Sequence, residues 1–95
     1  MNIEELHNQH KEVSALNLFK GEIGSATTIQ LLENGKLKEH VTKTPALLLC
    51  IKGEVVYNDE AEKRIKLKSG DFLNIIPNVK HWLVAKTQSQ LVLLK

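Results

Sequence analysis

Apolar and polar residues alternate along most of this chain, and short clusters of Gly, Asn, Asp, Ser and Pro interrupt the alternation at regular intervals. A period of two marks strands packed by one face against a core, and the clusters supply the turns between them. The most informative stretch runs from Gly70 to Ala85, GDFLNIIPNVKHWLVA. It predicts a strand over Phe72 to Ile76, a tight corner at Pro77-Asn78, and a further strand with His81 at its start.

Taken in order, Glu12 to Phe19 predicts a first strand and Lys20 to Gly24 a turn. Ser25 to Leu32 (SATTIQLL) is rich in β-branched residues and leads into Glu33-Asn34-Gly35-Lys36. Asn-Gly predicts a type I′ hairpin, because both central residues of that turn need positive φ. The return limb, Leu37 to Thr42, then carries His40 and Thr42 on one face. After Thr44-Pro45 the alternation fails: Leu47, Leu48, Leu49, Cys50 and Ile51 are all apolar. Both faces of that strand are expected to be covered. In a small antiparallel protein one sheet face normally meets water, so the second cover is expected from another copy of the chain, in a homodimer. Glu54 to Tyr57 continues as strand, Asn58-Asp59-Glu60 turns, and Glu62 to Leu67 (EKRIKL) has the pattern of a half-exposed strand. Leu91 to Leu94 closes the chain. The sum is an all-β protein, sandwich or barrel, of eight or nine short strands. Residues 1–11 form an N-terminal arm and residues 12–95 the barrel domain.

Length and charge narrow the functions open to such a fold. Ninety-five residues with 42% hydrophobic content make one domain, small enough to gain from a partner or a bound ligand. The net charge of +2 comes from 13 basic and 11 acidic residues mixed along the chain. Lys36, Lys38, Lys63, Arg64, Lys66 and Lys68 fall in two short groups broken by Glu and apolar residues, a solvated edge rather than a phosphate-binding face. Nucleic acid is not an expected partner. The polar N-terminus lacks a signal-peptide core and no apolar run reaches membrane-spanning length, so a cytoplasmic, non-membrane protein is expected. The single cysteine, Cys50, fits a reducing compartment and a buried packing role. His7 and His10, three apart, would share a helical face but have no third metal donor nearby.

The spacing of residues around His40 and His81 resembles that of the small single-domain cupins, whose two sequence motifs line one pocket. Their first motif runs glycine, five residues, His-x-His, three or four residues, glutamate, six residues, glycine. Counted back from Gly53, its glutamate position falls on Ala46, its histidines on Thr42 and His40, and its first glycine on Asn34. The second motif runs glycine, five residues, Pro-x-Gly, two residues, histidine, three residues, asparagine. From Gly70 its proline position falls on Ile76, one before Pro77, its second glycine on Asn78, its histidine on His81 and its asparagine on Ala85. The resemblance implies a jelly-roll β-barrel (double-stranded β-helix) over about residues 20–95.

It also implies where a ligand would sit. In cupins the matching histidines and glutamate hold a divalent metal; here Thr42 and Ala46 remove an imidazole and a carboxylate, leaving His40 and His81. Cys50 cannot substitute, since it lies about 13 Å along the strand from Ala46 and a coordination bond spans only ~2 Å. The expectation is a small-molecule-binding cupin with His40, Thr42 and His81 as polar contacts and Ala46, Leu48, Leu83 and Ala85 as apolar lining. The alternative implied by the family is a metal-dependent dioxygenase, isomerase or lyase, with Zn, Ni, Mn or Fe held by His40 and His81 alone. Trp82 is expected to face away from the pocket, in a subunit interface or under the arm.

Overall fold

The alternating pattern resolves into nine strands in the computed structural model, which describes residues 1–95. They are β1 (Val13–Lys20), β2 (Ser25–Leu31), β3 (Lys36–His40), β4 (Ala46–Lys52), β5 (Glu54–Asp59), β6 (Arg64–Lys68), β7 (Phe72–Ile75), β8 (His81–Ala85) and β9 (Ser89–Leu94). One turn of 3-10 helix, Ile3–Leu6, precedes them, with the Asn2 side chain accepting from the Glu4 amide at its start. The strands pair antiparallel in two sheets, ordered β1-β2-β9-β4-β7 and β3-β8-β5-β6.

The sheets pack face to face around thirteen buried apolar residues. Strand parity decides which side chains enter. In β4, Ala46, Leu48 and Cys50 are buried in this core while Leu47 and Leu49 on the other parity are only partly covered. In β8 the same rule buries His81, Leu83 and Ala85 and turns Trp82 and Val84 outward. Cys50 is a packing residue, and burial pushes its thiol pKa up, with Asp71 adding to the shift.

Two expectations are corrected by the pairing. Asn34-Gly35 is not a hairpin turn, because β2 pairs with β1 and β9 whereas β3 pairs with β8 in the other sheet. Only Asn34 has positive φ (65°), so the type I′ requirement is not met. The segment is a corner that hands the chain from one sheet to the other. Its Asn34 amide donates to the Ala85 carbonyl at 2.9 Å, and the Ala85 amide donates to the Gly35 carbonyl at 2.9 Å. The second correction concerns Trp82. It does not lie under the arm, which packs on the opposite sheet.

The arm in fact supplies part of the cover that β4 and its neighbours lack. His7 is buried on the outer face of the five-stranded sheet, with Nδ1 2.8 Å from Ser14 Oγ and Nε2 3.1 Å from Thr28 Oγ1. Beside it, Gln90 Nε2 donates to Gln30 Oε1 at 2.7 Å and Gln30 Nε2 donates to the Asn8 carbonyl. Lys52 Nζ reaches Glu4 Oε1 at 2.9 Å. The 3-10 turn ends at Leu6, so His7 turns to the sheet and does not share a helical face with His10. Beyond the arm, Ile51, Phe72 and Leu94 remain exposed.

The spacing that suggested the barrel has a backbone basis. The four positions matched to motif glycines, Asn34, Gly53, Gly70 and Asn78, all have positive φ, at 65°, 96°, 90° and 65°. Asparagine is the side chain that best tolerates this region, so these two corners hold without glycine. The Asn78 amide donates to the Thr42 carbonyl at 2.8 Å, which ties the second motif to the first.

Candidate functional site

His40 and His81 come together because of an irregularity in β3. Leu37 pairs with Leu83 and His40 with His81, three residues against two, with the register shifting between them. A regular strand would put Leu37 and His40 on opposite faces. The bulge places an extra residue on β3, so both face the interior. The rings meet edge to face, with centroids 4.1 Å apart and planes at 63°.

Both imidazoles are held in the same tautomer. His40 Nδ1 lies 3.0 Å from the Lys38 carbonyl and His81 Nδ1 lies 3.2 Å from the Val79 carbonyl. A carbonyl oxygen only accepts, so each Nδ1 carries the hydrogen, and in the neutral ring Nε2 is the atom that presents a lone pair. His81 is 1% exposed and its Nε2 has no partner. Burial pushes its pKa below the ordinary histidine value, while the Val79 carbonyl acts in the opposite direction. The neutral form therefore prevails at neutral pH. Thr42 Oγ1 is likewise buried without a partner.

Behind His81 stands a pair that the sequence analysis did not single out. Tyr57 stacks on the imidazole at 5.8 Å, and its hydroxyl donates to Asp59 Oδ2 at 3.1 Å. Both are buried. Asp59 Oδ1 also accepts from the Ala61 and Lys63 amides, at 2.9 and 3.0 Å. The carboxylate is thus committed to closing the β5–β6 turn. Burial, then the bond to Asp59, pushes the Tyr57 phenol up to about 12. The signal available in the sequence was parity: Val55, Tyr57 and Asp59 alternate onto the face that β8 also uses.

A cavity of about 660 Å³ opens between β1 and β3, the strands at one edge of each sheet. Its walls are Val13, Ala15, Thr27, Ile29, Leu37 and Leu93, with His40 at one side. Of the residues expected to form the pocket, only His40 lines this space. Ala46, Leu48, Leu83 and Ala85 belong to the packed core, and Thr42 and His81 are buried. His40 touches His81, which does not itself reach the cavity wall. The sequence could not place the opening, because it depends on which strands end up unpaired at the sheet edges.

The donor set does not fit a resident metal ion of the kind the resemblance implies. His40 and His81 offer two Nε2 lone pairs, Ala46 offers nothing, and Asp59 already accepts three hydrogen bonds. No three His, Cys, Asp or Glu side chains converge anywhere in the structure. Divalent-metal sites in proteins ordinarily take three or four such ligands.

No protein-family model matches the sequence, and no curated protein is significantly similar to it. Solved structures do match. The chain superposes on a cupin superfamily protein from Desulfitobacterium hafniense with a TM-score of 0.83 at 16% identity, covering 94% of this chain and 81% of that one. A cupin-2 domain containing protein from Shewanella frigidimarina gives 0.80 at 17% identity over 100% and 92% of the two chains. The cupin domain of Schizosaccharomyces pombe Cnp3 gives 0.79 at 13% identity over 96% and 69%. Such identities establish the architecture and no activity. In fold, the chain is a small cupin barrel.

Proposed function

We propose that the barrel binds a small organic molecule at the opening between β1 and β3, with His40, backed by His81, as its polar contact. The observation that carries this proposal is the buried, unpartnered Nε2 of His81 packed against a histidine that lines the cavity. The cavity reaches His40 alone, so a ligand's polar group meets that ring, which the buried His81 behind it holds edge to face. The cavity has the volume and apolar lining of small-molecule sites. A thermal-shift screen of the wild type beside a His40→Ala, His81→Ala double variant tests it. Ligands that raise the melting temperature of the wild type alone are the expected result; identical responses would sink the proposal.

We further propose a homodimer formed across the outer face of the five-stranded sheet, where Ile51, Phe72 and Leu94 lie exposed beyond the arm. Sedimentation equilibrium tests this, and a chain that stays monomeric at high concentration would refute it. No helix is long and apolar enough to cross a membrane, and a cytoplasmic setting is proposed from the single buried cysteine.

A further inference from the structure

Lysines are prominent among the residues that border the cavity. Lys11, Lys36, Lys38 and Lys95 all border it, with Glu12 as the single acidic residue. Two of these lysines come from β3, an edge strand whose outward parity puts Lys36 and Lys38 in solvent. The structure contains two ion pairs, Lys52 with Glu4 and Lys66 with Glu54, and neither involves a rim lysine. Glu12 Oε2 is turned to the backbone, where it accepts from the Lys36 amide at 3.0 Å. Four lysines therefore border one opening, and none of them is in an ion pair.

The same cavity is lined by apolar Val13, Ala15, Ile29, Leu37 and Leu93. Low-dielectric walls beneath like charges concentrate the field at the entrance and draw in ligands of opposite sign. The same arrangement sorts a ligand by its two ends. An apolar body gains by leaving water for the cavity, and a negative head group stays at the rim, within reach of flexible ammonium groups that keep their own hydration.

We infer that the ligand class is an amphipathic organic anion: an apolar body inserted between β1 and β3 with a carboxylate head among Lys11, Lys36, Lys38 and Lys95. This inference rests on the proposed pocket and adds the charge and polarity of what enters it. His40, on the cavity wall, then meets the body or its polar substituent and not the head group.

Decanoate serves as the probe and 1-decanol as its neutral counterpart, each titrated into the ¹⁵N-labelled full chain and followed by amide shifts. Decanoate is expected to shift residues of β1 and β3 and to bind more tightly than decanol. Its affinity should drop as ionic strength rises, since the rim charges are solvent-facing. A Lys36→Glu, Lys38→Glu variant should weaken decanoate by about tenfold, given the energies of exposed charge pairs, and leave decanol unchanged. A Lys63→Glu, Lys68→Glu variant, with the same charge change on the other side of the barrel, should do neither. Both variants alter exposed side chains, and their unliganded melting temperatures verify the fold. Equal binding of decanoate and decanol that ignores the rim variant but is lost in the His40→Ala, His81→Ala protein would overturn the anion inference and leave the pocket intact. Rim-dependent decanoate binding that ignores the histidine variant would sustain the inference and remove the histidines' role. No shifts with either probe up to its solubility limit would overturn the inference.

Discussion

Gly53 and Gly70 offer a controlled separation of backbone strain from steric conflict. Both are at the same kind of corner, with φ of 96° and 90°. They differ in what an added methyl would meet. At Gly70 nothing lies within 4 Å of a Cβ, whereas at Gly53 it would collide with Ser89 Oγ and stand 2.6 Å from the Gln88 carbonyl oxygen and 2.9 Å from Ser89 Cα. Two of those three atoms are backbone and cannot rotate away. The third belongs to a hydroxyl that donates to the Thr87 carbonyl at 2.8 Å. Gly70→Ala thus carries only the left-handed penalty of about 1–2 kcal/mol, part of which is returned by a stiffer unfolded chain. Gly53→Ala carries that penalty and an overpacking cost of about 1–3 kcal/mol. Urea unfolding followed by the fluorescence of Trp82, the single tryptophan, measures both. With a slope near 1 kcal/mol per molar for a domain of this size, the midpoint should fall by about 1 M for Gly70→Ala and by roughly 2–4 M for Gly53→Ala. A Gly53 variant no less stable than the Gly70 variant would show that the corner relaxes freely and would refute the reasoning.

Three further outcomes are expected. Tyr57 is the single tyrosine, so absorbance at the phenolate wavelength should stay flat through pH 10 and rise only towards pH 12, where its raised pKa lies. Because the folded value exceeds the unfolded one, stability is complete below about pH 10 and is lost as pH rises towards 12; half-titration near pH 10 in folded protein would contradict the buried placement. His7 has the opposite sign: burial lowers its pKa, so its contribution is complete above about pH 6.5 and is lost as pH falls below that value. His7→Gln should flatten the acid limb of stability between about pH 6.5 and 5, and a His7 resonance titrating at or above the ordinary value would refute the seat under the arm. Deleting Glu39 should straighten β3 while leaving His40 opposite His81, so the contact between their rings should persist in the amide and ring spectra; loss of that contact would mean that the bulged backbone itself, and not the register it sets, orients His40.

The architecture was legible because local pattern carries it. Period-two alternation located the strands, and Gly53, Gly70 and Asn78 marked corners whose left-handed backbone needs those residues. Asn34-Gly35 was read as a hairpin turn and is a corner between sheets, since whether flanking strands pair is a non-local matter settled by β8 and β9. The His40–His81 contact was anticipated from motif spacing, but the bulge that makes it was not, because Lys38-Glu39 carries no bulge-specific residue. Ala46, Leu48 and Leu83 have the composition of a pocket lining and of a core alike; only coordinates assign them to the core. His7 was hidden for another reason. Its partners Ser14 and Thr28 lie on strands whose outer face the sequence had no means of pairing with the arm.

The bulge has an evolutionary corollary. Since β3 borders the opening and pairs on one side only, moving the extra residue past His40 would disturb no third strand. Glu39 would then stand opposite His81 and His40 would turn to solvent. The wall of the binding space would trade an imidazole for a carboxylate, with no substitution at all. A fold that holds two side-chain chemistries one register apart on a free border has slippage, beside mutation, as a route to a different wall.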